Sequence, residues 1–175
     1  MTKYHHPGAG PSTRTWYNDN YTDIEGYPNI IDFENEYWTK YELSKYFSHS
    51  DSVLDVGCGN GRHSNFLSSR VKKVTAIDPT MKINEIFTNR ASNIQYFRSS
   101  YDKFQGNFDE NSGPQYDIIF MANVLCLFNM ASPAAGADPD NYNPKGLHKA
   151  FLKTNELIIP EGYVVITGHK NRLIG

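Results

Sequence analysis

A glycine-rich turn between two apolar runs constrains the fold of this chain more than any other feature. Residues 53–56, Val-Leu-Asp-Val, form a short apolar run that leads into Gly-Cys-Gly-Asn-Gly at residues 57–61, the glycine turn. A second apolar run, residues 74–77, ends in an acid, Asp78. A strand that passes through such a turn into a helix, followed by a strand ending in a carboxylate, is typical of the nucleotide-binding half of a parallel α/β sheet. Glycines let the backbone approach a ligand where a Cβ would collide with it.

Length, composition and charge predict one globular domain without a membrane span. The 175 residues are enough to bury a core, and the net charge of -2 provides no overall attraction to nucleic acid, so no DNA partner is expected. No apolar run reaches the roughly 20 residues that a bilayer requires, and residues 1–7 lack the apolar core of a secretory signal. The two cysteines, Cys58 and Cys126, do not form a disulfide pattern and favour a reducing cytoplasm. No metal site is expected, because His5 and His6 have no further ligands at suitable spacing.

The chain is predicted to divide into an irregular arm, residues 1–31, and a single domain, residues 32–175. Proline, glycine and aromatic residues occur in the arm without a clear period, and the aromatics are expected to pack over the core. Apolar residues at spacings of three and four predict a helix over residues 32–47, with Asp32 as its N-cap.

From residue 52 onward, predicted strands and helices alternate. The alternation predicts a parallel sheet with right-handed crossovers, which is an α/β fold built on a Rossmann-like, doubly wound, mostly parallel sheet. The predicted strands are 52–56, 71–77, 94–97, 116–121 and 162–167, the predicted helices are 61–69, 80–90 and 147–158, and loops are predicted over 105–115 and 129–146.

Four segments resemble, in order, the motifs of the class I S-adenosylmethionine-dependent methyltransferases, most closely the small-molecule branch. Residues 55–61 resemble the first motif, and Asp78 stands where the family places its ribose-binding acid. Residues 116–125 resemble the fourth strand with its following turn, and residues 157–166 resemble the start of the fifth strand. The resemblance covers roughly residues 50 to 168 and implies S-adenosyl-L-methionine as the cofactor.

The resemblance also implies that the sheet lacks the last two strands of the usual seven-stranded fold. The chain ends soon after the fifth predicted strand, at Gly175. An open sheet edge is a liability unless something covers it. Either the protein is naturally minimal, the sequence is part of a longer one, or a homo-oligomer or a partner chain covers that edge.

The resemblance assigns a role to each matching position. Asp55 would orient the methionine amino end of the cofactor, Asp78 would bind the ribose hydroxyls, and Pro79 would lie against the adenine face. Ser100 aligns with an acid that binds the adenine amino group in many relatives, so a hydroxyl or the backbone would serve here. The implied cofactor-binding residues are Asp55, Gly57, Cys58, Gly59, Gly61, Asp78, Pro79, Ser100, Tyr101, Asn123 and Val124.

The implied reaction is an in-line displacement that moves a methyl group to a small-molecule acceptor. Such a reaction depends on positioning the nucleophile more than on a strong base. Where the acceptor must lose a proton, His169 and Asp102 are the candidate bases. His63, in the first turn of a predicted helix, is expected to face solvent. The loop over residues 129–146 is expected to face the substrate, since long loops within compact domains are usually functional or disordered.

Other functions stay open at this point. Residues 122–125, Ala-Asn-Val-Leu, lack the Asn/Asp-Pro-Pro-Tyr/Phe signature of enzymes that methylate the amino group of a flipped base. Methylation of RNA or protein is the enzymatic alternative. A catalytically silent module that binds the cofactor or a partner is another. A dinucleotide-binding dehydrogenase is a third, although the last glycine of the turn comes one residue too early for its signature.

Overall fold

The computed structural model describes residues 34–79, 90–106, 115–122, 124 and 144–167. The predicted arm, residues 80–89 of the predicted helix over 80–90, Asn123 and His169 lie outside these residues, as do most of the predicted loops over 105–115 and 129–146. In chain order the elements are a π-helix (Glu34–Lys40), a 3₁₀-helix (Leu43–Tyr46), β1 (Ser52–Val56), α1 (Arg62–Ser68), β2 (Lys73–Asp78), β3 (Ile94–Arg98), β4 (Tyr116–Ala122), α2 (Pro144–Leu157) and β5 (Ile158–Thr167).

The five described strands form one parallel sheet in the order β3-β2-β1-β4-β5. The predicted α/β class and the predicted doubly wound parallel sheet are confirmed. The strand order reverses between β1 and β4, which is the place where open α/β sheets bind ligands at the carboxyl ends of their strands. Asp55 pairs in register with Ala76 of β2 and Phe120 of β4, and Asp78 pairs with Arg98 of β3. Both acids therefore lie toward that edge of the sheet.

Alternate side chains of the strands enter two separate buried clusters, one on each face of the sheet. On the first face the strands pack against Phe66 and Leu67 of α1, and on the second against Ala150 and Leu157 of α2. Coverage on both faces explains why the strand segments are nearly continuous apolar runs. The strand residues in the first cluster are Val53, Val74, Ala76, Ile94, Ile118, Phe120 and Val165, and those in the second are Leu54, Val56, Ile77, Tyr116, Ile119 and Met121.

Arg70, just after α1, holds the π-helix against the first face of the sheet. Its guanidinium lies 3.6 Å from the ring centroid of Phe66 and 5.5 Å from that of Trp38. It also forms an ion pair with Glu34 at 2.9 Å. These contacts combine cation–π attraction with a hydrogen-bonded charge pair. The predicted helix over residues 32–47 is interrupted, however, because Glu42 has a left-handed backbone with φ of 55°.

Helix α2 begins earlier than the sequence predicts. The prediction placed a loop up to residue 146 and a helix over 147–158, whereas α2 spans Pro144–Leu157. Proline is favoured in the first turn of a helix, where its missing N–H costs no hydrogen bond. Within α2, Phe151 is exposed, whereas Thr154 is buried. At 14 residues α2 is the longest described helix, and no helix in the described ranges is long and apolar enough to cross a membrane.

The pairing of β5 with β4 is irregular near the start of β5, around the adjacent residues Glu161 and Gly162. Ile158 pairs with Tyr116, but the next pair joins Tyr163 to Ile118, so β5 carries extra residues between them. Glu161 has a left-handed backbone with φ of 68°. A Cβ on Gly162 would lie 2.7 Å from the carbonyl oxygen of Asp117 and 2.6 Å from Cγ1 of Ile158.

Substitutions at these two residues are expected to change stability in opposite directions. Gly162→Ala should lower the free energy of unfolding by about 1–3 kcal/mol, because the new methyl group collides with backbone. Glu161→Gly should raise it by up to about 1 kcal/mol, because glycine adopts positive φ without strain. Urea unfolding of both variants checks this. Changes of the same sign would contradict the account.

Candidate cofactor site

The glycine turn is tied to the end of β2 by three backbone N–H groups. Gly57 and Cys58 both donate to the carbonyl oxygen of Ile77, at 2.8 and 3.0 Å. Gly59 donates to Oδ2 of Asp78 at 3.1 Å. The turn therefore cannot shift relative to β2 without breaking several hydrogen bonds. The structure brings together the predicted turn residues and the predicted ribose-binding acid.

Gly57 packs closely against Val124, which follows β4. The backbone at Gly57, Gly59 and Gly61 is left-handed, with φ of 69°, 55° and 76°. A Cβ on Gly57 would lie 2.3 Å from Cγ1 of Val124, which is buried. Both the conformation and the contact require glycine at position 57. Val124, predicted beside the cofactor, thus lies against the turn.

Asp78 is held through its side chain and through its main chain. Its carbonyl oxygen accepts hydrogen bonds from the N–H of Ser99 at 3.2 Å and from the hydroxyl of Tyr96 at 3.1 Å. The residue is 7% exposed, while the next residue, Pro79, is exposed. The carboxylate therefore has a fixed position at the carboxyl end of β2, beside the glycine turn.

Asp55 is a buried acid whose hydrogen-bond partner, among the described residues, is a neutral hydroxyl. It is 1% exposed, and its Oδ2 accepts a hydrogen bond from the hydroxyl of Ser64 in α1 at 2.5 Å. Burial raises the pKa of Asp55 to about 7; the Ser64 hydrogen bond lowers it, and the negative charge of Asp78 raises it further. A positive charge placed nearby would favour the ionised form of Asp55.

Cys58 lies within the turn as an unreactive thiol. Its side chain is buried. Burial, together with the charges of Asp55 and Asp78, raises the pKa of the Cys58 thiol well above its usual value. The thiol therefore stays protonated and is a poor nucleophile.

His63 differs from its prediction, because its ring packs on the sheet instead of facing solvent. The ring centroids of His63 and Phe120 are 5.6 Å apart, with the planes tilted by 53°. Burial, with a smaller contribution from the positive charge of Arg62, lowers the pKa of His63 to about 3. The imidazole is therefore neutral at physiological pH. The sequence did not indicate this contact, since Phe120 comes from a distant strand.

Of the remaining predicted site residues, Ser100 and Tyr101 are among the described residues, whereas Asn123 and His169 are not. Ser100 follows β3 at the same edge of the sheet as Asp78 and is half-buried. Tyr101 is buried in the second-face cluster, where its hydroxyl lies 2.8 Å from Oγ1 of Thr154. The Thr154 hydroxyl donates to the carbonyl of Ala150, so Tyr101 is the donor in that contact. The cofactor roles of Ser100 and Tyr101 stay predictions, as do those of Asn123 and His169, which lie outside the described residues.

Two residues contact the predicted acids without having been predicted themselves. Ser64 is the hydroxyl partner of Asp55, and Tyr96 is the hydroxyl partner of the Asp78 main chain. Ser64 lies three residues before the buried Leu67, so helical spacing could have placed it on the inward face of α1. Nothing in the sequence indicates the Tyr96 contact, which depends on the register between β2 and β3.

The charge of the site selects for a cationic ligand. Asp55 and Asp78 are both buried next to the glycine turn, and each is an acceptor of hydrogen bonds. A ligand with an ammonium group would favour the ionised form of Asp55, whereas the anionic pyrophosphate of a dinucleotide would disfavour it. Within the described ranges, no three His, Cys, Asp or Glu side chains are grouped so as to hold a metal ion.

Comparison with known families finds a match to the central segment of the chain. A family model described as a methyltransferase domain matches residues 53–137, which include the glycine turn, β2, β3 and β4. No curated protein matches the sequence significantly.

Solved structures, among them two N-methyltransferases, share the fold at low sequence identity. The N-methyltransferase NodS from Bradyrhizobium japonicum WM9, in complex with S-adenosyl-l-homocysteine, is 19% identical, with 89% of this chain and 72% of that chain covered and a TM-score of 0.64. The PH0226 protein from Pyrococcus horikoshii OT3 is 18% identical, with coverage of 87% and 63% and a TM-score of 0.61. Phosphoethanolamine N-methyltransferase 1 from Haemonchus contortus, in complex with phosphoethanolamine and S-adenosylhomocysteine, is 16% identical, with coverage of 78% and 26% and a TM-score of 0.58.

The raised pKa of Asp55 predicts how the stability of the unliganded protein depends on pH. The pKa of Asp55 rises from its ordinary 3.8 to about 7 on folding. Its contribution to stability is therefore fully present below pH 3.8 and is lost as the pH rises through 7. Relative to Asp55→Asn, the wild type should lose about 3 kcal/mol of unfolding free energy between pH 5 and pH 8.

Urea unfolding of both proteins at several pH values, without cofactor, measures this difference. Asp102→Asn, at an exposed acid, serves as the matched control and should keep the wild-type pH profile. A profile for Asp55→Asn that parallels the wild type would contradict the assignment of the shift to Asp55.

Proposed function

We propose that this chain is a class I S-adenosylmethionine-dependent methyltransferase that methylates a small-molecule acceptor by in-line displacement. The observation that supports the proposal is the pair of buried carboxylates, Asp55 on β1 and Asp78 at the end of β2. The glycine turn follows β1 and is hydrogen-bonded to the end of β2. When bound, S-adenosylmethionine supplies a methyl group already activated by its sulfonium. The protein then needs to position two reactants and exclude water.

The residues at the turn fit the cofactor by charge and by shape. We assign Asp55 to the ammonium of its methionine portion, since a positive charge compensates the buried carboxyl. We assign Asp78 to the ribose hydroxyls, because its carboxylate lies at the carboxyl end of β2 beside the turn. Pro79, exposed next to it, is assigned to the adenine face. Gly57 lets Val124 pack directly against the turn, because a Cβ at position 57 would collide with it.

A small acceptor agrees with the charge and with the sequence beyond β4. The net charge of -2 offers no basic field for RNA. Residues 122–125 lack the signature of enzymes that hold a flipped base. Among the structural neighbours, the Haemonchus contortus enzyme was crystallised with phosphoethanolamine, a small molecule. These observations support a metabolite-sized acceptor.

Proton removal from the acceptor is assigned to His169 where the nucleophile carries a proton. His169 comes two residues after the end of β5 in the sequence. Neither His63 nor Cys58 suits this role. The pKa of His63 is lowered to about 3, and the Cys58 thiol stays protonated because its pKa is raised.

A reducing cytoplasm is the compartment we propose. The chain has two cysteines, and the described one, Cys58, is a buried free thiol at the centre of the site. Oxidation of that thiol would enlarge a side chain packed within the turn.

Label transfer from methyl-labelled S-adenosylmethionine tests the proposed acceptor class. The protein is incubated with a cell extract divided by ultrafiltration into a small-molecule fraction and a macromolecular fraction. The label should appear in small molecules, and Asp78→Ala should reduce it at least tenfold, because binding of the cofactor ribose is lost. Label confined to RNA or protein would contradict a small-molecule acceptor, and absence of transfer to either fraction would favour a silent module.

A further inference from the structure

The carbonyl oxygen of Asp78 has two hydrogen-bond donors, both from β3 and the residue after it. The N–H of Ser99 lies 3.2 Å away, and the hydroxyl of Tyr96 lies 3.1 Å away. That oxygen belongs to the Asp78–Pro79 peptide bond. Because proline has no N–H, the carbonyl oxygen is the one hydrogen-bonding group of this peptide unit. Its two donors therefore determine how the peptide plane is oriented.

The orientation of this peptide determines two of the proposed cofactor contacts together. A peptide unit is planar, so rotating it moves the atoms on both sides. Asp78 precedes the bond and is assigned to the ribose, while Pro79 follows it and is assigned to the adenine. Gly59 donates to the carboxylate of Asp78 at 3.1 Å. Side-chain and main-chain contacts thus hold the same residue.

Tyr96 is placed to be a persistent donor in this arrangement. It pairs in register with Ala76, and its ring packs in part against the first-face cluster that contains Cys58. Burial, followed by the effects of the nearby Cys58 and Asp78, raises the pKa of the Tyr96 phenol. The hydroxyl consequently keeps its proton throughout the physiological range and can donate it to the carbonyl.

We propose that Tyr96 is a positioning residue for the adenosine part of the cofactor, acting through the Asp78–Pro79 peptide. The inference rests on the proposed function, which assigns Asp78 to the ribose. The Tyr96 hydroxyl does not touch the cofactor in this proposal. It fixes the peptide that presents the ribose-binding acid and the adenine-facing proline.

Tyr96→Phe tests the proposal, because it removes the hydroxyl and keeps the ring. The dissociation constant of S-adenosylhomocysteine, measured by calorimetry, should rise about threefold to tenfold, as expected for the loss of one hydrogen bond. Tyr116→Phe is the matched control. Tyr116 is a buried tyrosine at the first residue of β4, at the opposite end of that strand from the site. Its loss of a hydroxyl should leave the dissociation constant unchanged.

A double-mutant cycle with Asp78→Ala separates positioning from a general structural effect. If Tyr96 acts in part through the Asp78 side chain, Tyr96→Phe should raise the dissociation constant less in the Asp78→Ala background than in the wild type. Additive losses, or an unchanged dissociation constant in Tyr96→Phe, would overturn the inference. If Asp78→Ala itself binds S-adenosylhomocysteine as the wild type does, the ribose assignment fails instead. The two failures are therefore distinguishable.

Discussion

The hydrogen bonds between the glycine turn and the end of β2 hold the parts of this site in place. The turn leaves β1 and enters α1, and its N–H groups reach the carbonyl of Ile77 and the carboxylate of Asp78. Two strands and a helix are thereby joined at one edge of the sheet. The positions of Asp55 and Asp78 relative to each other are fixed by the backbone pairing of β1 with β2.

The same arrangement buries Asp55 at a position where its negative charge adds little to the stability of the protein. Asp55 is buried near a second carboxylate, and its pKa rises to about 7. Burying a charge is unfavourable unless a partner compensates it, and the described partner, Ser64, is a neutral hydroxyl. Perturbed acids of this kind concentrate at functional sites. A positively charged group on a ligand would stabilise the ionised carboxylate of Asp55. This stabilisation would contribute to the affinity of the protein for that ligand.

Local patterns predicted the strands and the turn, whereas contacts between distant segments were not predictable. The apolar run of β1 ends at the glycines, and the structure has that strand at the predicted residues. The break at Glu42 needs a left-handed backbone that apolar spacing does not reveal. Pro144 was assigned to a loop, although it starts α2. The prediction for His63 was wrong and the contact of Tyr96 was missed, because both depend on side chains from other strands.

Calorimetric titration of the purified protein with S-adenosylmethionine, S-adenosylhomocysteine and NAD tests the central claim most directly. The claim is that two buried carboxylates beside the glycine turn form a site for an adenosyl ligand that carries an ammonium group. Saturable one-to-one binding of both sulfur ligands, with no heat from NAD, is the predicted result. Binding of NAD, or a folded protein that binds neither sulfur ligand, would contradict it.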